Sequence, residues 1–320
     1  MDIGYDISTR IDTSKRISSI TVPTSDTIAM SYLMKQFLSV KHSPMLIGLA
    51  GCGKTQITKG LLDEITTVAN SEFTSQAINF NFYTDSELLQ LVLESQLEKK
   101  AGKAYGPKGK FTLIYFIDDL NMPGPDKYET QSAIALIRQH KDYEHWYDRT
   151  KLTLKEIKNT MYIAAMNPFA GSFTINERLQ RHFWSACITL PESPSLTTIY
   201  SAFMNKHFSK FKPAVYDLVQ PIIKTTIAAQ EQIGMAFRKT AINFHYEFNV
   251  RHMTNVFQGL LQAKSEIIQD LDKMVKLWVH EMERIYGDRL VNAAHLQQYR
   301  DIILEQVKRN FNKANMTKHF

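Results

Sequence analysis

A chain of 320 residues is longer than one minimal domain and predicts a large domain with a smaller one beside it. Its 44% hydrophobic and 22% charged residues are those of a globular protein and exclude wholesale disorder. A formal charge of +6 can favour polyanions such as nucleotides, nucleic acids or acidic protein surfaces, but it is spread along the chain and marks no surface.

Cys52 and Cys187 are the two cysteines. They form neither a metal-ligand spacing nor a disulfide framework, and point to a reducing, intracellular compartment. The start, Met1 to Asp6, has no basic stretch followed by an apolar run, so no secretory signal is expected. No run approaches the roughly 20 apolar residues of a membrane span, and a soluble protein is expected.

Residues 1–21 are polar with scattered isoleucines and read as a lead-in or docking arm. From Val22-Pro23-Thr24 the pattern alternates strand and helix. Thr27 to Val40 has helical spacing, with Ile28, Tyr32, Leu33 and Phe37 as its apolar face. Met45-Leu46-Ile47 is a short strand running into Gly48-Leu49-Ala50-Gly51-Cys52-Gly53-Lys54-Thr55, and Ile57, Leu61, Leu62 and Ile65 line one face of the helix after it. A strand is expected from Ala77 to Tyr83 and a helix from Asp85 to about Lys99. The basic, turn-rich stretch 99–110 reads as an exposed loop or hairpin. Phe111 to Ile117 is a continuous apolar run, suited to a buried parallel strand, and ends in Asp118-Asp119. Further strands are expected at Met161 to Ala165, ending in Asn167-Pro168, and at Ala186 to Leu190. After Pro191 the pattern is helical, with Pro213 and Pro221 interrupting it near the start of a long helix. Alternating strands and helices followed by helices alone predict an α/β domain and then an α-helical one.

Gly48 to Thr55 has the residues of a phosphate loop. Its glycines let successive N–H groups face the β- and γ-phosphates at the positive end of the next helix. Lys54 would reach the phosphate oxygens, and the Thr55 hydroxyl would hold Mg²⁺. Asp118, delivered by a buried strand, is the expected second Mg²⁺ residue, and Asp119 could polarise an attacking water. Asn167 could bond the γ-phosphate or position water; a turn-initiating Asn before Pro168 is the alternative. Arg178 and Arg181, one turn apart, could serve a neighbouring subunit's phosphates as an arginine finger or be solvated helix charges. Arg251 could touch phosphates or cap its helix locally. His140, His145, Trp146 and Tyr147 read as packing and loop residues, and the Cys52 side chain is expected to point away from the phosphates.

Together these motifs resemble the AAA+ branch of P-loop ATPases, with Walker A at Gly48 to Thr55, Walker B at Ile114 to Asp119, sensor 1 at Asn167 and sensor 2 at Arg251. Phe116 to Pro123, Leu136 to His140, His145 to Asp148, Ala165 to Pro168, Gly171 to Ile175, Arg178 to Phe183 and Phe248 to Arg251 closely resemble the third AAA+ module of axonemal dynein heavy chains, nearest to the outer-arm type. The resemblance implies a three-layer αβα large domain with a parallel sheet over residues 22–191, a small all-α lid over 192–287 and a helical tail over 288–320. It implies that Val22-Pro23 lies along the adenine, that Gly48, Gly51, Cys52, Gly53, Lys54, Thr55 and Arg251 bind ATP or ADP with Mg²⁺, and that Asp119, Asn167 and Arg181 are catalytic. Implied partners are neighbouring AAA+ modules of the same heavy chain, with intermediate and light chains and microtubules reached through the full complex, and neither nucleic acid nor membrane. The implied location is the axoneme of a cilium or flagellum. A dynein ring needs six modules, a linker and a stalk, so the resemblance implies a fragment supplying one regulatory site. A free-standing AAA+ remodelling ATPase, assembling as a hexamer, is the alternative.

Several positions depart from the pattern. Gly48-Leu49 replaces Gly-Pro, and Cys52 stands where a small hydroxylic residue is usual. Asp119 replaces the glutamate of fast AAA+ hydrolases, although an aspartate is common there in this axonemal module, and Glu129 with Ser132 to Ile134 replaces a Gly/Pro-containing stretch. Aspartate is one methylene shorter than glutamate, and a water misplaced by about an ångström can cost on the order of a hundredfold in rate.

Overall fold

The computed structural model describes residues 16–68, 71–169 and 173–311. It divides into two units, Asp26–Leu190 and a helical one formed by the residues up to Ser25 with Pro191 onward. Most of the expected 1–21 lead-in, Gly171-Ser172 and the end of the tail lie outside the described residues.

The first unit opens with α1 (Ser25–Ser39), β1 (Ser43–Ile47), α2 (Lys54–Thr67), β2 (Phe73–Asn79), α3 (Ser86–Glu94), β3 (Leu97–Lys99) and β4 (Ala104–Pro107). It continues with β5 (Thr112–Asp118), α4 (Ser132–Tyr143), β6 (His145–Tyr147), β7 (Leu154–Ile157), β8 (Thr160–Met166), α5 (Glu177–Gln180) and β9 (Phe183–Cys187). Five strands form a parallel sheet in the order β2-β5-β8-β1-β9. Its central strands are apolar on both faces because helices cover both. Ile114, Phe116, Met161, Ile163 and Ala165 pack with Met34 and Leu38 of α1 and Ile57, Leu61 and Leu62 of α2. On the other face, Leu113, Tyr115, Ile117, Tyr162 and Ala164 pack with Leu89 and Leu93 of α3 and Ala133, Ile134 and Ile137 of α4. The expected three-layer α/β architecture is therefore present.

Three local expectations change. The apolar face of α1 is not the expected one: Ile28, Tyr32 and Leu33 are exposed, while Met34 and Leu38 are buried. The helix carries two apolar stripes, and periodicity alone does not choose between them. β2 lies four residues earlier than expected, because Asn81 and Thr84 turn the chain: the Asn81 Oδ1 accepts from the Tyr83 N–H at 2.9 Å, and the Asn81 N–H donates to the Thr84 hydroxyl at 3.0 Å. β9 likewise begins at Phe183, pairing along the whole of β1.

The basic segment is not a free loop. β3 and β4 form a hairpin within a second sheet of order β3-β4-β7-β6. Trp146 of β6, fully buried, donates its indole N–H to Glu94 Oε1 at 2.8 Å, and Lys155 of β7 bridges Glu94 and Asp148, both at 2.9 Å. These long-range polar ties join strands of only three and four residues that sequence pattern did not mark.

The helical unit has a short 3₁₀ turn at Ile17–Ser19, then α6 (Ser193–Phe208), α7 (Pro213–Tyr216), α8 (Val219–Ala236), α9 (Val250–Leu260), α10 (Leu271–Ile285), a second 3₁₀ turn at Gly287–Arg289 and α11 (Ala293–Asn310). Pro213 starts α7 and Pro221 lies in the first turn of α8, where a missing N–H costs nothing. The core gathers Phe203, Ile222, Phe257, Trp278 and Tyr286 with Tyr299, Ile303 and Val307 of α11. The described part of the expected tail packs into this core, and the expected boundary at 287 falls at the 3₁₀ turn between α10 and α11. Val22 also joins this core rather than opening the α/β unit.

His140 of α4 is buried as the packing residue it was expected to be. Its Nδ1 meets the Tyr162 hydroxyl at 2.7 Å and its Nε2 the Thr160 hydroxyl at 3.3 Å. Burial, and then the Lys141 charge, push its pKa down to about 3. The folded state therefore declines a proton that the unfolded chain takes up below about pH 6.5. Stability should fall by up to about 1.4 kcal/mol per pH unit as pH drops from about 6.5. His140→Gln should remove that share of the slope between pH 6.5 and 4.5, read from urea unfolding of both proteins.

Candidate functional site

The loop between β1 and α2 is clamped by both neighbouring strands' connections. The Gly48 N–H donates to Met166 O at 3.2 Å, and the Ile188 N–H donates to Ile47 O at 2.7 Å. Gly51 and Gly53 adopt φ of 87° and 94°, which L side chains rarely reach. Gly48 is needed for space: a Cβ there would stand 2.4 Å from Ile188 O and 2.8 Å from Cys52 Sγ.

Lys54 closes the loop on itself. Its ammonium donates to Gly48 O at 2.7 Å and Leu49 O at 2.8 Å, and lies 3.7 Å from Cys52 Sγ. Only 8% of Lys54 is exposed, so these loop atoms replace most of its water. The Cys52 side chain is buried inside this cradle, against Gly48 and Lys54, and not directed away as expected.

Thr55 and Asp118 come together from elements 63 residues apart: the Thr55 hydroxyl donates to Asp118 Oδ2 at 2.7 Å. A hydroxyl and a carboxylate at one point are the hard oxygen donors that Mg²⁺ takes from a protein, so the residues present fit that ion. Asp119 is exposed and turns the chain at φ 56°. Aspartate visits this left-handed region more readily than most side chains, so Asp119 suits the backbone here. Glu129, another departure, also has a left-handed φ, of 60°, where a glycine would be unstrained.

Asn121 is a residue to which sequence reasoning gave no role. It is buried, and its Nδ2 donates to Asn167 O at 2.8 Å, while the Leu120 N–H donates to Ala165 O at 3.0 Å. The chain leaving β5 is thereby tied to the end of β8. An amide three residues beyond a paired acid was the available signal. The Asn167 Oδ1 accepts from the Phe169 N–H at 3.2 Å, the turn geometry that was the alternative for this residue.

Arg178 and Arg181 do not lie along a helix face, because α5 is a single turn ending at Gln180. Arg181 donates through Nη2 to Asp142 Oδ1 at 2.7 Å, and His182 Nε2 meets the same oxygen at 2.8 Å. These two, Arg181 first, hold the Asp142 carboxyl below its usual range. The Arg181 side chain remains 63% exposed. Val22, Pro23 and Arg251 belong to the helical unit; Val22 is buried and Pro23 half-buried, while Arg251 is exposed in the first turn of α9.

The P-loop containing dynein motor region family matches residues 9–191. The chain belongs to that family. The AAA+ lid domain matches residues 222–318 of the helical unit. Among similar proteins, the dynein alpha chain of the flagellar outer arm from Chlamydomonas reinhardtii is 45% identical over 320 residues, which is 100% of this chain and 7% of that one. Dynein axonemal heavy chain 17 of Homo sapiens is 42% identical over 306 residues, covering 95% of this chain and 7% of its own. A ciliary dynein beta chain of Heliocidaris crassispina is 40% identical over 303 residues, 94% and 7%. The chain thus spans about 7% of the length of these curated relatives. Membership in a P-loop motor family implies a nucleotide-binding fold. Among the described residues no helix is long and apolar enough to cross a membrane.

Gly48→Ala should force either the Ile188 carbonyl or the loop to move, because the nearer clash is with backbone. The expected result is at least a tenfold weaker affinity for a fluorescent ATP analogue together with a lowered melting temperature, both measurable on the 320-residue chain.

Proposed function

We propose that this chain is the third AAA+ module of an axonemal dynein heavy chain, and that its site binds ATP·Mg²⁺ to regulate the motor while turning over slowly. The observation that carries the nucleotide reading is the 2.7 Å contact of the Thr55 hydroxyl with the Asp118 carboxylate, next to a lysine that, among the described residues, is held by its own loop. For an ammonium, phosphate oxygens are stronger acceptors than carbonyls, since they add a charge–charge attraction to the hydrogen bond. Lys54 would exchange the Gly48 and Leu49 carbonyls for phosphate, leaving the loop N–H groups to line the same anion. Thr55 and Asp118 would hold Mg²⁺, which when bound bridges phosphate oxygens and offsets their charge.

Turnover would rest on Asp119 as the base for water, on Asn167 just past the end of β8, and on an arginine from the next module. Arg181 would serve the preceding module in the same way, with Asp142 as its resting partner. The shorter Asp119 supports binding with slow hydrolysis, which is the behaviour of a regulatory site. The partners of this reading are the neighbouring modules of one heavy chain. Intermediate chains, light chains and microtubules would be met only through the whole complex, in the axoneme of a cilium or flagellum. A structural module whose nucleotide never turns over is the second reading, favoured by the same Asp119.

Two measurements separate these ideas. Lys54→Ala should reduce ATP affinity by about two orders of magnitude, and Asp118→Asn should abolish the gain in affinity that Mg²⁺ gives, both read by titration of a fluorescent ATP analogue. Unchanged affinity in Lys54→Ala would sink the nucleotide reading. Single-turnover hydrolysis in a heavy chain carrying this module should be slower in Asp119→Asn; equal rates would leave the purely structural module standing.

A further inference from the structure

The end of β8 is where the phosphate loop and the acid-bearing turn after β5 meet. Three consecutive carbonyls there take three different donors. Ala165 O accepts from the Leu120 N–H at 3.0 Å, and Met166 O accepts from the Gly48 N–H at 3.2 Å. Asn167 O accepts from Asn121 Nδ2 at 2.8 Å. The strand thus faces the chain leaving β5 through Ala165 and Asn167, and the phosphate loop through Met166.

The bond from Asn121 replaces a rung of the ladder. A strand that continued past Leu120 would offer the Met122 N–H to Asn167 O, since ladder partners recur every second residue. The left-handed φ of 56° at Asp119 bends the chain, and the Met122 N–H turns back to Asp119 O at 3.0 Å. The side-chain amide of Asn121 takes the vacated place. Only 3% of Asn121 is exposed, so water does not compete for this bond, and a buried polar group left unpaired costs more than the bond itself contributes. Gln131, also buried, secures the same segment by donating its Nε2 to Pro123 O at 2.9 Å. Asn167 is held at a second point, where its Oδ1 accepts from the Phe169 N–H at 3.2 Å. Its Nδ2, the donor end, takes no part in that turn.

We infer that Asn121 is a positioning residue of the nucleotide site. By fixing the Asn167 main chain to the turn at Asp119, it aims the Asn167 amide at the terminal phosphate of a nucleoside triphosphate. The site thereby tells a triphosphate from a diphosphate. This inference rests on the nucleotide reading proposed above and adds to it a residue that touches neither phosphate nor metal. A hydrogen bond to a charged oxygen weakens steeply as its geometry departs from ideal, so releasing the Asn167 carbonyl loosens the donor on the same residue. The other phosphates face the loop from Gly48 to Thr55, whose bond to Met166 O does not involve Asn121.

The test titrates fluorescent ATP and ADP analogues, each with Mg²⁺, into the whole 320-residue chain. Asn121→Ala is expected to weaken binding of the ATP analogue by about tenfold and to leave the ADP analogue unchanged, so that the ratio of the two affinities falls. Asn121→Ser, which keeps a polar group too short to reach Asn167 O, should lower the ratio likewise with less disturbance of packing. Asn167→Ala keeps the main-chain carbonyl but lacks the amide; in that background Asn121→Ala should no longer change the ratio. An unchanged ratio in both Asn121 variants overturns the inference. So does an equal loss for both analogues, which marks a tie that only holds the fold, and so does a ratio that still falls when Asn167 is alanine. The nucleotide reading fails on a different result, namely Lys54→Ala binding both analogues as the unaltered chain does.

Discussion

Two-sided burial of β5 is the constraint on which the rest of the α/β unit depends. Leu113 through Ile117 are all buried, so the strand must pair along both edges, and it does so with β2 and β8 in parallel. A slip of one residue would exchange Ile114 and Phe116 with Leu113, Tyr115 and Ile117, and would place each set against the wrong helices. Register is therefore fixed by packing on both faces. Its consequence lies at the strand's end, where burial fades from Ile117 through a half-buried Asp118 to an exposed Asp119. The Asp118 carboxylate is delivered within reach of Thr55, and the chain beyond it is secured to β8 by Asn121 and Leu120.

Around that fixed edge the phosphate loop solves a different problem. A buried ammonium is expensive unless its hydrogen bonds are replaced, and the Gly48 and Leu49 carbonyls replace them. Carbonyl dipoles answer the hydrogen bonds without neutralising the charge. Cys52 contributes to the closure by filling the space between Gly48 and Lys54, which is how a sulfur is accommodated where the family has a smaller hydroxylic side chain.

What was legible in the sequence followed from one-dimensional pattern. The run Phe111 to Ile117 is uninterrupted because both faces are covered, and the glycine spacing of the loop reflects backbone angles that few other residues adopt. What was not legible depended on distant partners. The face of α1 was ambiguous because Ile28-Tyr32 and Met34-Leu38 are both helical pairs, and only α2 and the sheet decide between them. β6 and β7 are too short to show a period and are held by Glu94, more than fifty residues away in the chain. The packing of the tail was not legible for a similar reason: Tyr299, Ile303 and Val307 of α11 lie four apart, but the helices they seal against come from earlier in the chain. At the site, motif spacing marked Lys54, Thr55 and Asp118, whereas the tie through Asn121 required knowing that β5 and β8 are neighbours.

Among the described residues, cations differ in the company they keep. Lys155 sits between Glu94 and Asp148, and Arg181 shares Asp142 with His182. Each carries its compensating charge with it, and for Arg181 any service to another phosphate must compete with a carboxylate at 2.7 Å. Lys54 is different. It is held by carbonyls and a thiol, so among the described residues it has no ion pair to surrender to an anion. Removing a carboxylate from a cation costs a charge–charge attraction as well as a hydrogen bond, while removing a carbonyl costs the hydrogen bond alone. That difference favours phosphate at Lys54 and separates it from the cations that hold the fold.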